Sequence, residues 1–248
     1  MSLYAAVSSV CEVHALLQAA THRTLRWIDR CISAHYVPSE HALFGIIQGG
    51  LDPKLRDVCI NGLKARGDKL PGYAIGGLAG GEEKSAFCKV VSQCTAALPP
   101  NKPRYVMGVG YPLDLVVCSA LGADMYDCVY PSRTARFGTA LVPEGVLRLK
   151  SSAMAKDYRP IDNECDCLVC KFYTRAHLHA KITKEPHAAS LLTYHNIRFQ
   201  MRLCQDMHRA ITSQDFEAFV QAFIRRQFAN RDIPAWVREA LELAKIDL

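Results

Sequence analysis

Three cysteines crowd into six residues, Cys165-x-Cys167-x2-Cys170, and the candidate histidines His177, His179, His187 and His195 lie downstream of them. Thiolates spaced this closely can converge on one ion, and a histidine brought in from a later helix can complete a tetrahedron. Cys3His is a common structural zinc set. Spacing alone leaves all four histidines open as the last ligand. With four protein ligands no coordination position stays free, so the expected role is structural, with one Zn2+ per chain.

The second chemical candidate is Asp127, in the apolar run Met125-Tyr-Asp-Cys-Val129 ahead of Tyr130-Pro-Ser-Arg-Thr-Ala-Arg136. A carboxylate near the end of such a run needs a reason, because burying it unpaired is costly. One reason is chemistry at a strand end; the other is a buried ion pair with Arg133 or Arg136. Gln48 offers donor and acceptor together, which suits a heterocyclic base edge. The glycines at 76–81 would let a flat ligand approach the main chain, although turns alone use such glycines too. Arg133 and Arg136, three apart on what reads as a loop, could grip phosphates or a base edge.

The elements that must position these residues repeat one plan: a short β-rich run, glycines, then a helical pattern. Leu43–Ile47, Tyr73–Ile75, Tyr105–Met107 and Met125–Val129 are the expected strands. Helices follow with apolar faces at Leu55, Val58, Cys59 and Leu63, at Phe87, Val90, Val91, Cys94 and Leu98, and at Leu113, Val116, Val117 and Ala120. Asp52 and Pro53 start the first of these helices and Gly67 ends it. Alternating strands and helices read as parallel βα units. Polar and glycine-rich ends on every strand suit a (β/α)8 barrel, with a doubly wound open sheet as the competing arrangement. An N-terminal helix is expected from Glu12 to His35. Residues 133–160 read as irregular, and three helical stretches finish the chain at about 187–211, 214–228 and 233–245. Eight barrel strands need roughly 200 residues or more, yet only about 130 precede the cysteines. Either the sheet is open or the chain holds only half a barrel. The expected division is 1–140, the C-terminal half of the barrel, and 141–248, a metal-binding subdomain with C-terminal helices completing it.

Bulk properties agree with a globular protein. The 248 residues are 50% hydrophobic and 22% charged, enough for a sizeable core without a tract long enough to span a bilayer. Met1-Ser-Leu-Tyr-Ala-Ala-Val lacks the basic and long apolar regions of a signal peptide. The formal charge of +6 permits a polyanionic partner without requiring one. Eleven cysteines, eight of them scattered singly through apolar segments, point to a reducing compartment.

Taken together, Phe44-Gly-Ile-Ile-Gln-Gly-Gly50, Gly72-Tyr-Ala-Ile-Gly-Gly-Leu-Ala-Gly-Gly-Glu82, Arg104-Tyr-Val-Met-Gly-Val-Gly110, Asp124–Arg136 and the cysteine cluster with Thr193-Tyr-His-Asn-Ile197 resemble the tRNA-guanine transglycosylase family, in its order and spacing. The resemblance implies a (β/α)8 barrel with a zinc-binding insertion, acting on guanine at wobble position 34 of tRNA with a GUN anticodon. It matches Asp127 to the nucleophile that attacks the ribose anomeric carbon, a covalent carboxylate step like that of retaining glycosidases. It matches Gln48, Gly77 and Leu78 to base contacts and Met107 to a residue packing on the base. Gly108, Val109, Gly110, Tyr111, Pro112, Leu113 and Asp114, with Ser132, Arg133, Thr134, Ala135 and Arg136, match RNA-binding stretches. Cys165, Cys167, Cys170 and His195 match the zinc ligands, which selects among the four histidines.

Gly80 refines the match, because bacterial members carry a bulkier valine there while eukaryotic, queuine-using members carry glycine. The eukaryotic catalytic branch implies queuine as the incoming base and a heterodimer with a non-catalytic paralogous subunit. It also implies a cytoplasmic location, peripheral at the mitochondrial outer membrane. The family's general acid/base aspartate lies in an Asp-Ser-Gly-Gly-Phe-Gln motif, which this sequence does not contain. Tyr4-Ala5 stand where a second acidic pair is expected. The expectation is therefore a truncated product or an incomplete version of a transglycosylase. Two other classes stay open: a non-catalytic tRNA-binding or dimer-forming module of the same family, and a small-molecule glycosyl-transfer enzyme on an open α/β sheet.

Overall fold

The computed structural model describes residues 3–78, 80–229 and 231–248; the side chains of residues 3–13 and 186 fall outside that description. Tyr4-Ala5 and Ala79, which belong to two of the motifs above, therefore have no side-chain account.

The chain forms two compact units. The first runs up to Val109 and adds Val117–Asp127 and Trp236–Lys245; the second comprises Gly110–Val116, Cys128–Ala235 and Ile246–Leu248.

In the first unit, α1 (Leu3–Ser33) leads into β1 (Gly45–Ile47), α2 (Pro53–Lys64), β2 (Tyr73–Ile75), α3 (Lys84–Ala97), β3 (Arg104–Val106), α4 (Pro112–Ala120, which continues from the second unit) and β4 (Met125–Tyr126). The four strands are all parallel, in the order β1-β2-β3-β4. A doubly wound sheet reverses its strand order at a switch point. This sheet never reverses, as in a barrel wall, which favours the barrel of the two arrangements left open by periodicity. Buried Ile47, Tyr73, Ile75 and Val106 share one face of the sheet, and Leu55, Cys59, Leu63, Phe87, Val91, Cys94 and Val117 are the buried positions of the helices, while Ile46 and Met125 on the opposite face are exposed.

The helix starts follow from sequence. The Asp52 carboxylate accepts hydrogen bonds from the amides of Lys54 and Leu55 at 2.8 and 3.1 Å, with Pro53 in the first turn. Glu83 caps α3 in the same way through Ser85 and Ala86. Three sequence expectations change. The first helix begins at Leu3, well before Glu12. Val58 is exposed, and the buried face of α2 instead includes Arg56. Among the single cysteines, Cys59, Cys88, Cys94 and Cys118 are buried, but Cys31 is exposed.

In the second unit, α5 (Tyr130–Arg136) precedes an antiparallel hairpin, β5 (Thr139–Val142) and β6 (Gly145–Arg148), within a stretch the sequence left irregular. Helices α6 (Leu168–Phe172), α7 (Arg175–Lys181), α8 (Pro186–Thr212) and α9 (Phe216–Gln227) follow; α10 (Ala235–Leu243) lies almost wholly in the first unit. The apolar cluster of the second unit joins Ala135, Ala140, Leu149, Ile161, Val169, Leu178 and Leu192 to Cys165 and Cys167.

Candidate functional site

The sheet register places four candidate residues in one row. Ile47 pairs with Ile75, Ile75 with Val106, and Val106 with Tyr126. These are the last residues of their strands. The positions that follow are Gln48, Gly76-Gly77, Met107-Gly108 and Asp127. Neighbouring strands lie about 4.8 Å apart, so the row is a continuous ledge along the C-terminal edge of the sheet. Catalytic groups of barrel enzymes occupy this edge.

Asp127 stands just beyond β4 rather than inside it and is exposed, so the cost of burial does not apply. Its Oδ1 accepts a hydrogen bond from the Tyr105 hydroxyl at 2.5 Å and from the Gly108 amide at 2.9 Å. Both partners are neutral, unlike the guanidinium of the ion pair considered from sequence. Gly108 has φ +74°, a left-handed conformation that glycine adopts without strain, and this aims its N–H at the carboxylate. The Tyr105 bond and then the Gly108 bond hold the Asp127 carboxyl below its ordinary range, while the same contact pushes Tyr105 up to about 12. The second carboxylate oxygen is not engaged by either donor. Tyr105 escaped the sequence reading; its one signal is a polar-tipped aromatic on the strand adjacent to Asp127.

Gln48 is half-buried against β2's glycines. A Cβ on Gly77 would stand 2.5 Å from Gln48 Oε1, and one on Gly76 would stand 3.2 Å from Gln48 Nε2. Only glycines leave room for the carboxamide to lie flat there, and Gly77 also has φ +68°. Gly77 is exposed, Leu78 and Met107 are half-buried, and Gly80 is exposed with its amide donating to Glu82 at 2.9 Å.

The remaining matched residues divide by exposure. Gly108 and Tyr111 are exposed and Leu113 is half-buried, whereas Val109, Gly110, Pro112 and Asp114 are buried. In the second run Arg133 and Arg136 are exposed, Ser132 and Thr134 half-buried and Ala135 fully buried. The arginines do not lie on a loop. They sit at i and i+3 in the last turn of α5, on one face, where cations also suit the helix C-terminus.

The metal candidates converge in the second unit. Cys165 and Cys167 come from the segment before α6, Cys170 from α6, and His195 from α8. Their ligand atoms all lie within 4.8 Å of one another. His195 Nδ1 is 3.8, 3.6 and 3.3 Å from the sulfurs of Cys165, Cys167 and Cys170. Ligands of one tetrahedral ion with bonds of about 2.0–2.3 Å are separated by about 3.5 Å, so the four atoms fit a single metal ion. The other ring nitrogen, Nε2, donates to the Leu141 carbonyl at 2.9 Å, which leaves Nδ1 free to ligate. His179 instead contacts the Leu149 carbonyl, so geometry agrees with the choice of His195. Burial lowers the His195 pKa, but hydrogen bonds to Cys165 and Cys167 outweigh it and push it up to about 9. The ion would replace that shared proton.

Asn196, beside His195, is fully buried and escaped the sequence reading. Its Oδ1 accepts from the Leu141 amide at 2.9 Å, and its Nδ2 donates to the carbonyls of Pro131 and Thr139 at 3.0 and 2.9 Å. Asn196 thus ties α8, with the candidate metal ligand His195, to β5 and to the helix carrying Arg133 and Arg136.

Comparison with known proteins agrees. The profile of the queuine tRNA-ribosyltransferase family matches residues 1–229. The chain is 46% identical over 241 residues to the queuine tRNA-ribosyltransferase catalytic subunit of Schizosaccharomyces pombe, covering 94% of this chain and 59% of that protein. It is 46% identical over 242 residues to the same subunit of Caenorhabditis elegans, covering 92% and 60%. To the queuine tRNA-ribosyltransferase of Thermus thermophilus it is 47% identical over 226 residues, covering 91% and 58%. The chain therefore spans about 60% of the length of these curated relatives. It belongs to the queuine tRNA-ribosyltransferase family, with that family's TIM-barrel class of fold.

Proposed function

We propose that this member of the queuine tRNA-ribosyltransferase family provides the nucleophile and base-recognition ledge of a tRNA base exchange, in which guanine 34 of a GUN anticodon is replaced by queuine. The observation that supports it most is the single row of Gln48, Gly76, Met107 and Asp127 along one sheet edge, with Gly77 next to Gly76.

In this reading the ionised Asp127 oxygen that accepts from neither Tyr105 nor Gly108 attacks the ribose anomeric carbon. A carbon–oxygen bond forms and the glycosidic bond breaks, and guanine departs with the bonding electron pair and takes a proton from water, since the aspartate motif expected to supply it is not in this sequence. The incoming base then attacks the same carbon, displaces the carboxylate and releases its N–H proton to water. Tyr105 and Gly108 keep Asp127 anionic and fix its rotamer; Gln48 and Gly77 read the base edge, Leu78 adjoins them, and Met107 packs on its face. Gly80 leaves space for a substituted base, since a Cβ there would stand 3.3 Å from Glu82 Oε1 and a valine would crowd that carboxylate. Identity is nearly equal to eukaryotic and bacterial relatives, so the preference for queuine rests on Gly80.

Arg133 and Arg136 grip the anticodon arm with the exposed members of 108–114, while the buried members hold those backbones in place. The Cys165, Cys167, Cys170 and His195 set holds a structural zinc, whose contribution is to lock the fold around α6 and α8. A heterodimer with a non-catalytic paralogue, and a cytoplasmic site of action at the mitochondrial surface, rest on family resemblance alone. No helix among the described residues is long and apolar enough to cross a membrane. The test is incorporation of labelled guanine or queuine into tRNA by the full chain, alone and with the paralogous subunit. Incorporation that Asp127→Ala abolishes is expected; incorporation that survives the substitution would refute the assignment.

A further inference from the structure

Arg56 is a fully buried guanidinium and forms no ion pair among the described residues. Its Nε donates to the Gly50 carbonyl at 2.8 Å, and its Nη1 to the carbonyls of Ile47 and Gly76 at 3.0 and 2.8 Å. It therefore staples the C-terminal ends of β1 and β2 together, directly beneath Gln48 and Gly77. Burial pushes its pKa down, against the opposing charges of Cys94, Cys59 and Glu82, none of which is hydrogen-bonded to it. A cation kept in the interior without a carboxylate is costly, and a methionine would fill similar volume without that cost.

The remaining nitrogen, Nη2, is buried and has no hydrogen-bond partner. It lies near the space that glycine leaves open at position 77. The position that a Gly77 Cβ would occupy is 3.8 Å from Arg56 Nη2 and 2.5 Å from Gln48 Oε1, while Gln48 Nε2 lies on the other side, over Gly76. A carboxamide can be turned either way round, and its neighbours decide which end faces out. A cationic donor behind Gln48 favours the oxygen inward and the NH2 outward.

We propose that Arg56 is a positioning and specificity-determining residue of the base site: with the Gln48 oxygen drawn inward beside its guanidinium, the Gln48 amide is presented to the ligand as a donor. The site then selects bases that carry an oxo group, an acceptor, at the edge Gln48 reads, and discriminates against bases that lack it. A buried donor left unpaired by the wrong base is the usual source of such discrimination. This rests on the reading of Gln48 and Gly77 as base contacts.

The test compares equilibrium binding of guanine and of 2-aminopurine, which lacks the oxo group, to the full chain and to its Arg56→Met, Arg56→Lys and Gln48→Ala variants. Melting temperature and bound metal serve as controls for folding. The wild type should prefer guanine by about tenfold or more, a preference that Arg56→Met reduces to within about twofold and Arg56→Lys reduces partly. Hydrogen exchange at residues 48–50 and 76–78 should rise in Arg56→Met, which reads the staple without any ligand. A folded Arg56→Met protein with unchanged guanine preference overturns the proposal while leaving the base site standing. If Arg56→Met does not fold, unchanged preference in Arg56→Lys overturns it in the same way. No base binding by the wild type, or binding that Gln48→Ala leaves untouched, overturns the base-site reading and the proposal with it.

Discussion

The ledge and the metal cluster are positioned by opposite means. At the ledge, strand register does the work: four parallel strands end together, so residues far apart in sequence emerge side by side. Its proposed nucleophile, Asp127, stays exposed and is held by two hydrogen bonds. At the metal cluster no sheet sets the spacing. Cys165 and Cys167 lie in the core and His195 is fully buried on a long helix, so the ligands and their polar neighbours are themselves part of the packing. A substitution at the ledge should therefore cost chemistry more than stability, and one at the cluster should do the reverse.

Removing the metal is the strongest way to break that contrast. Structural zinc contributes roughly 10 kcal/mol or more of binding energy in small domains. Chelation should raise hydrogen exchange across β5, α5 and the cysteine segment while β1–β3 keep their protection. Uniform loss across both units would erase the distinction. Next in size is Asn196→Ala, which strands several buried groups at once and should destabilise the chain by about 2–4 kcal/mol in urea denaturation. It should also weaken tRNA binding through α5. Arg133→Ala and Arg136→Ala should leave stability within about 0.5 kcal/mol and each lower the salt dependence of tRNA binding by about one unit of slope.

The smallest expected change is also the most specific. The Tyr105 and Gly108 bonds lower the Asp127 pKa from its ordinary value of 3.8. The stabilisation of the carboxylate is thus fully present above that value and is lost as pH falls through the depressed one. Tyr105→Phe should move the acid limb of the pH–rate profile upward, with a rate loss of about tenfold or less at neutral pH. An unmoved acid limb would mean that Tyr105 does not tune Asp127.

Much of this was legible before any coordinates. Strand-glycine-helix alternation placed all four parallel strands, and strand β2 was bounded to the residue at Tyr73–Ile75. The cysteine spacing gave three candidate ligands, but the fourth was ambiguous because several histidines follow and nothing in their spacing reveals which one faces the sulfurs. The hairpin of β5 and β6 was missed because its turn is Pro143-Glu144, without the Asn-Gly or Asp-Gly signal of a tight turn. Arg56 was hidden for a different reason. A charged residue next to Leu55 on an amphipathic helix reads as solvated, and only the three strand-end carbonyls that it meets give it a reason to be buried.

The central claim is that Asp127 bonds covalently to a tRNA sugar, and the most direct measurement is to trap that bond. The full chain would be incubated with GUN-anticodon tRNA, with the paralogous subunit present and no incoming base, then denatured, digested and analysed by mass spectrometry. A ribose-linked RNA fragment on the peptide carrying Asp127, absent from the Asp127→Asn protein, is the predicted result. Base exchange proceeding with no adduct at that peptide, or an adduct that persists in Asp127→Asn, would contradict it.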